Sequence, residues 1–242
     1  MQRTLILVAA LGMALAAGAY TSNPPASTGA PAAAEVLPAH QFTSDWYRMG
    51  EAHLAQRQRN GNVPRARNVI LFVGDGMGIS TITAARILDG QRKGMSGEGN
   101  SLSFEHFPFA GLVKTYNTDS QTADSAGTMS AMMTGVKTRI GVFGVDETAL
   151  RGDCAGGRSR ELVSVLELAE LAGKSTGIVS TARITHATPA ATYARSAERD
   201  WEDDTELSPV ARDAGCTDIA SQLVNSTASM QDRFNAPGID GI

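Results

Sequence analysis

At 242 residues, 42% of them hydrophobic and 19% charged, the chain is long enough for one large domain or two small ones, and its composition is globular rather than disordered. A net charge of −4 provides no basic footprint, which sets nucleic acid aside as a partner.

The amino terminus differs in kind from the rest of the chain. A short basic start at Arg3, an apolar run over residues 5–17 and the small-x-small sequence Ala17-Gly-Ala19 read as a secretory signal peptide over residues 1–19. The run is short for a membrane span, and Ala19 stands where a lipidated cysteine would be. The expectation is a soluble exported protein, periplasmic or secreted, with no membrane span after cleavage. Residues 20–43 are rich in Ala, Pro, Ser and Thr and nearly uncharged, the composition of a flexible tether, and His40 falls within it. The folded part of the chain is expected over residues 44–242. Ser44 or Asp45 caps a first helix running to about Arg59, with Trp46, Met49 and His53 at helical spacing and Asn60-Gly61 closing it. His53 reads as a packing residue on that face.

The sequence Asn68-Val-Ile-Leu-Phe-Val-Gly-Asp-Gly-Met-Gly78 organises the next part. Residues 69–73 are an unbroken apolar run and predict a strand buried on both faces. Three alternating glycines then enclose Asp75, the one side chain in the turn suited to hold a cation. In an open α/β sheet, ligands bind at this end of a strand. The plainer alternative is that Asp75 caps the helix predicted over residues 79–88, whose Ile79, Ile82 and Ile87 are spaced to face a sheet. A dinucleotide fingerprint fails here, because its third glycine falls on Ile79.

Residues 90–99 read as a surface loop and 109–116 as a second strand, with the aromatic-rich segment 103–107 packed beside it and His106 structural. Residues 122–135 predict a helix of small residues and methionines, with Asp124 or Ser125 at its cap and Gly135 after its end. An amphipathic helix is predicted over 160–172, with Leu162, Val165, Leu166, Leu168 and Ala169 inward and Gly173 at its end. Residues 174–181 predict a third strand centred on Ile178 and Val179, and a helix near 218–224 precedes a polar loop over 225–241. The alternation of strand and helix argues for α/β. Two cysteines, Cys154 and Cys216, are most simply a disulfide in an oxidising compartment; two unrelated buried thiols are the alternative if the signal reading is wrong.

A serine at a helix start is ordinarily a cap. Here Asp124-Ser-Ala126 lies downstream of Val73-Gly-Asp-Gly-Met-Gly78 and ahead of Thr185-His-Ala-Thr-Pro-Ala-Ala-Thr-Tyr-Ala194 and Arg199-Asp-Trp201. In that order these motifs resemble the alkaline phosphatase family, from about Arg67 to Val224. The resemblance implies a central, mostly parallel sheet flanked by helices. It also implies two Zn2+ and one Mg2+ per full-length active site, and hydrolysis of phosphate monoesters through a phosphoserine. Carried over, Ser125 is the nucleophile and a zinc ligand, and Asp75 bridges the magnesium site and that zinc. Thr188 is a magnesium ligand, Arg199 clamps two phosphate oxygens, and Asp124 holds Arg199 in place. His186 resembles the animal-type branch, where histidine stands behind the magnesium site. The cysteine pair falls where that branch has a disulfide, and the family's common state implies a homodimer at full length.

The chemistry agrees with those roles. A phosphate monoester dianion resists attack, and its uncatalysed hydrolysis is among the slowest reactions known. Paired metals serve both ends of an in-line displacement. A serine hydroxyl needs activation, which coordination supplies. A helix amino terminus offers N–H groups to a phosphoryl oxygen. Arginine's planar fork binds two oxygens where lysine binds one.

The family's remaining magnesium carboxylate and the aspartate and histidine zinc ligands lie in the second half of the polypeptide. The four histidines here, His40, His53, His106 and His186, do not supply that set. The expectation is therefore an amino-terminal portion, its sheet incomplete at the carboxyl-terminal side, with little phosphatase activity and poor zinc binding on its own. Two alternatives stand beside this reading. One is a phosphodiesterase- or sulfatase-type relative, against which the serine-plus-arginine pair speaks. The other is a secreted non-catalytic module holding phosphate or a cation through Asp75 and Arg199.

Overall fold

The structure, a computed structural model, describes residues 5–9, 33–59 and 66–242. In chain order its elements begin with strand β1 (Leu5–Ala9), helices α1 (Ala33–Val36), α2 (Ala39–Phe42) and α3 (Asp45–Arg59), strand β2 (Val69–Val73) and helix α4 (Ile79–Arg92). The remaining helices are α5 (Ser125–Thr134), α6 (Cys154–Gly157), α7 (Val165–Leu171), α8 (Ala187–Ala190), α9 (Pro209–Asp213), α10 (Ile219–Val224) and α11 (Ser226–Phe234). The described residues fall into two compact units, 5–9 with 66–114 and 33–59 with 115–242.

In the first unit β1 and β2 pair in parallel, Leu5 opposite Val69 and Ala9 opposite Val73. The described part of the apolar run read as a signal is thus an extended strand. The cleavage sequence, residues 20–32 and the closing pair Asn60-Gly61 lie outside the described residues. β2 forms where expected but is not buried on both faces: Val69 is 66% exposed. The reason is the sheet itself, which among the described residues has two strands. α4 begins at Ile79 as predicted and runs on past Leu88 to Arg92, so the expected loop starts late. Ile79 is exposed while Ile82 and Ile87 are half-buried. The loop after α4 returns at Gly97 (φ +92°), where a Cβ would lie 2.4 Å from the Ile87 carbonyl oxygen. Asn100 locks that return, donating through Nδ2 to Arg86 O at 3.0 Å and to the Asp89 carboxylate at 2.7 Å. Residues 103–106 form one 3-10 turn, and His106 is exposed rather than structural. The expected second strand over 109–116 has no regular structure. Its Phe109, Leu112 and Val113 are exposed, because β-branched and aromatic residues make a strand only where a neighbouring strand pairs with them.

The second unit corrects the tether. Residues 33–42 contain α1 and α2, and Gln41 is 1% exposed. Its Nε2 donates to Thr134 O at 3.0 Å and Val163 O at 2.8 Å, and its Oε1 accepts the Val163 N–H at 2.6 Å. A side-chain amide thus does for three backbone groups what a strand would do. His40 Nε2 also meets Glu161 O at 3.0 Å. α3 forms as predicted from Asp45 to Arg59, but Met49 and His53 on it are exposed, so His53 is not a packing residue.

The core gathers Phe143, Val142, Val145, Leu162, Val163, Ile219 and the small residues Ala126, Ala187 and Ala190. α5 packs on α7 and α8, an approach that small side chains permit. α7 is shorter than predicted. Ser164 is its N-cap, in a capping box with Glu167, and this fixes the start five residues later than the periodicity suggests. Leu162 is buried ahead of the helix and Val165 is half-exposed. Buried Glu167 is gripped by Arg195 and, at 2.8 Å, by Arg233. The expected third strand over 174–181 is absent. Gly177 makes a single bridge to Gly241, Ile178 is buried and Val179 is exposed. α10 forms with Asp218 as its cap, but the expected polar loop after it contains helix α11. Cys154 and Cys216 are joined in a disulfide with Cα atoms 5.9 Å apart, packed against a cluster of Ala197, Trp201, Leu207 and Ala211.

Candidate active site

Asp124 is the N-cap of α5, in extended backbone, and its Oδ1 accepts the Gly127 N–H at 3.1 Å. The same oxygen accepts from Asn117 Nδ2 at 2.8 Å. The other oxygen, Oδ2, accepts the Gly141 N–H at 2.8 Å and Arg199 Nη1 at 3.1 Å. Burial works to raise the pKa of this carboxyl. The donors from Gly127, Asn117, Gly141 and Arg199 outweigh it and hold the group below the ordinary carboxylate range. Ser125, half-buried, is the first residue of α5 and so stands next to this ionised hub at a helix amino terminus.

Arg199 reaches the hub from the loop after α8. Its backbone N–H donates to Gly141 O at 2.9 Å, so Gly141 holds Asp124 with its N–H and Arg199 with its carbonyl. Its Nη2 lies 3.3 Å from His186 Nε2, and its Nε lies 3.8 Å from Asp200. A guanidinium has five N–H donors, so these contacts orient Arg199 and leave donors over for an anionic ligand. His186 is the N-cap of α8, which carries Thr188, and α8 packs on α5. Behind them Glu202 accepts a fork from Arg183, at 2.8 and 2.5 Å, and the Thr185 hydroxyl at 2.6 Å. The Arg183 hydrogen bond leads the causes that hold the Glu202 carboxyl down to about 2; burial opposes it, and Thr185, the Arg183 charge and His186 add to it.

Of the residues singled out from sequence, the second unit brings together Asp124, Arg199 and His186 by direct contact, with Ser125 beside the first and Thr188 on the helix that His186 caps. Asp75 belongs to the other unit, where it is exposed in the turn after β2. It is not the cap of α4, whose N-cap is Gly78 with no side-chain bond. Among the described residues no group of three or more His, Cys, Asp or Glu side chains is placed to hold a metal ion. No described helix is long and apolar enough to cross a membrane.

Sequence reasoning missed Asn117 and Gly141. Asn117 is buried, and Gly127 admits it: a Cβ on Gly127 would lie 2.7 Å from the Asn117 side-chain oxygen. Gly141 sits at φ +75°, a left-handed conformation that favours glycine. Neither residue falls in a motif with a mechanism, and a lone glycine between Ile140 and Val142 carries no local signal.

The family model for alkaline phosphatase matches residues 66–231. An alkaline phosphatase of Gadus morhua is 46% identical over 209 residues, 86% of this chain and 42% of its own. The tissue-nonspecific isozyme of alkaline phosphatase of Homo sapiens is 50% identical over 173 residues, 72% of this chain and 33% of its own. Alkaline phosphatase 4 of Drosophila melanogaster is 47% identical over 198 residues, 78% of this chain and 32% of its own. The chain therefore spans well under half the length of these relatives.

Proposed function

The chain belongs to the alkaline phosphatase family, and from that premise we propose that it carries the nucleophile and the phosphate clamp of an exported, metal-dependent phosphomonoesterase. Ser125 Oγ attacks phosphorus and displaces the alcohol. The resulting phosphoserine is hydrolysed by water to inorganic phosphate. Arg199 holds two phosphoryl oxygens through its planar fork, and the free N–H groups at the start of α5 face the same negative charge. Asp124 keeps Arg199 aimed and stays ionised throughout. The observation that supports this reading is the 3.1 Å contact between Asp124 and Arg199 beside Ser125, made across 75 positions of sequence. An arginine held beside a helix-opening serine is suited to bind the phosphoryl group that the serine attacks.

Divalent metal, when bound, would supply activation of the serine oxygen and neutralisation of the leaving oxygen. Asp75, Ser125 and Thr188 are the positions assigned to it, with His186 behind the magnesium site. The described residues do not by themselves compose the two-zinc, one-magnesium set. The proposal extends to phosphate monoesters as the substrate class and to a homodimer for the full-length protein.

The test is covalent trapping. Protein extended to the length of the relatives is incubated with p-nitrophenyl phosphate or inorganic phosphate and Zn2+ and Mg2+, quenched in acid, and the peptide containing Ser125 is weighed. Mass corresponding to one phosphoryl group on Ser125, absent in Ser125→Ala, is the expected result. A diester run alongside separates monoesterase from diesterase. Retained anion binding with no trapped serine in protein extended to the length of the relatives would point to a binding module instead.

A further inference from the structure

The backbone that presents Arg199 is gripped from outside by one loop, residues 151–154. Arg151 forks onto Glu198, Nε to Oε2 and Nη2 to Oε1, both at 2.8 Å. Its Nη2 also lies 3.6 Å from Asp200. Arg151 therefore holds the residues on either side of Arg199. The next residue, Gly152, donates its N–H to Ala197 O at 2.8 Å. Cys154 and Cys216 then close the loop against Ala197 and Trp201.

The grip continues inward. A Cβ on Gly141 would lie 2.6 Å from both Cζ and Nε of Arg151. The guanidinium thus occupies the space a side chain at position 141 would need. Gly141 is the residue whose N–H holds Asp124 and whose carbonyl holds the Arg199 N–H. Arg151 is packed on the link between the two.

Charge adds a second reason. Asp200 lies 3.8 Å from Arg199 Nε and 3.6 Å from Arg151 Nη2, so the two arginines share it. Without Arg151, Asp200 competes with Asp124 for the Arg199 fork, and both Glu198 and Asp200 stand unneutralised beside an incoming dianion. Arg151 is 45% exposed, and exposed ion pairs contribute little to folding. Its effect is therefore separable from stability, while a bidentate clamp tolerates displacements of well under 1 Å.

We propose that Arg151 is a positioning residue for Arg199, acting through its fork on Glu198 and its contact with Gly141 to set how the Arg199 guanidinium meets a phosphoryl group. The identity of the ligand rests on the phosphatase reading; the geometry does not.

The experiment compares the 242-residue chain with Arg151→Gln, Arg151→Lys, Glu198→Gln and the Arg151→Gln/Glu198→Gln pair. Inorganic phosphate binding is read from Trp201 fluorescence in a Trp46→Phe background. Backbone hydrogen exchange over residues 197–201 and the thermal midpoint are read in parallel. Arg151→Gln weakens phosphate about fivefold, a coupling of ordinary size for contacting residues, with the midpoint nearly unmoved. Exchange at Arg199 quickens. Lysine restores part of the affinity because it neutralises charge without forking, and the double variant is no worse than either single one. If Arg151→Gln binds phosphate and exchanges like its parent, the proposal is overturned. If the parent itself binds no phosphate, the phosphatase reading of this chain loses support. The exchange data then decide alone: quickening that lysine partly reverses upholds the positioning role, and unchanged exchange removes it.

Discussion

Asp124 and Arg199 meet at 3.1 Å on an oxygen that also takes the Gly141 N–H, while the second oxygen of the same carboxylate caps α5. One side chain thus starts the helix that carries Ser125 and fixes the arginine opposite it. Asp124→Ala should destabilise the protein by about 2 kcal/mol, about half from the lost cap and the rest from unpaired donors. Asn caps nearly as well as Asp, so Asp124→Asn should keep the capping half of that stability and lose the rest, because its amide nitrogen cannot accept from Gly141 and Arg199. Urea unfolding of the two variants checks this. Equal midpoints would mean that capping contributes nothing here.

Acid should reveal the Glu202 network. Its carboxyl is held down to about 2 from 4.5, first by the Arg183 hydrogen bond. A depressed folded pKa means that ionisation favours the native state. That contribution is complete above 4.5 and is lost as pH falls from there towards 2. Glu202→Gln should cost most at neutral pH, where the ionised carboxyl contributes in full, and least in acid, which flattens the acid limb of the stability curve in that window. Asp124 is shifted in the same direction and adds to the same limb. Thermal midpoints taken across the window test the sign. A steeper acid limb in Glu202→Gln contradicts it.

Gly141→Ala should be costly twice. A left-handed conformation for a residue with a side chain costs about 1–2 kcal/mol. The new methyl group also meets the Arg151 guanidinium at 2.6 Å. Arg151→Ala removes the second penalty but not the first, so the double variant should recover part of the loss. Chemical denaturation of the two single variants and the pair measures the coupling directly.

Cys154→Ser/Cys216→Ser should lower stability by about 4 kcal/mol on the chain-entropy argument for a bridge across 62 positions. The bridge packs on Trp201, so its intrinsic fluorescence should shift on reduction well before global unfolding. Unfolding curves with and without reductant provide the comparison, and curves that superpose would mean that the bridge adds no stability.

The elements legible in the sequence are those whose ends are written locally. α5 carries its cap at Asp124 and its stop at Gly135, and both are where the sequence puts them. β2 and α3 follow the same rule at one end at least. The expected strands at 109–116 and 174–181 fail for a common reason. An apolar β-branched run states a need for partners without supplying them, and Leu112, Val113 and Val179 are left exposed. The site divides the same way. Asp124, Ser125 and Arg199 sit in recognisable strings, whereas Asn117, Gly141 and Arg151 act through where the chain happens to return. α11 is hidden by polar composition, since Ser226 to Phe234 has few apolar residues to show a period.

Gln41 lies well upstream of residue 66, where the family match begins, yet its amide closes hydrogen bonds to both Thr134 and Val163. The family model and mechanical integrity therefore have different borders in this protein. Trimming it to the matched segment would draw a rivet from between two plates, exposing three backbone groups that the amide now seals from water.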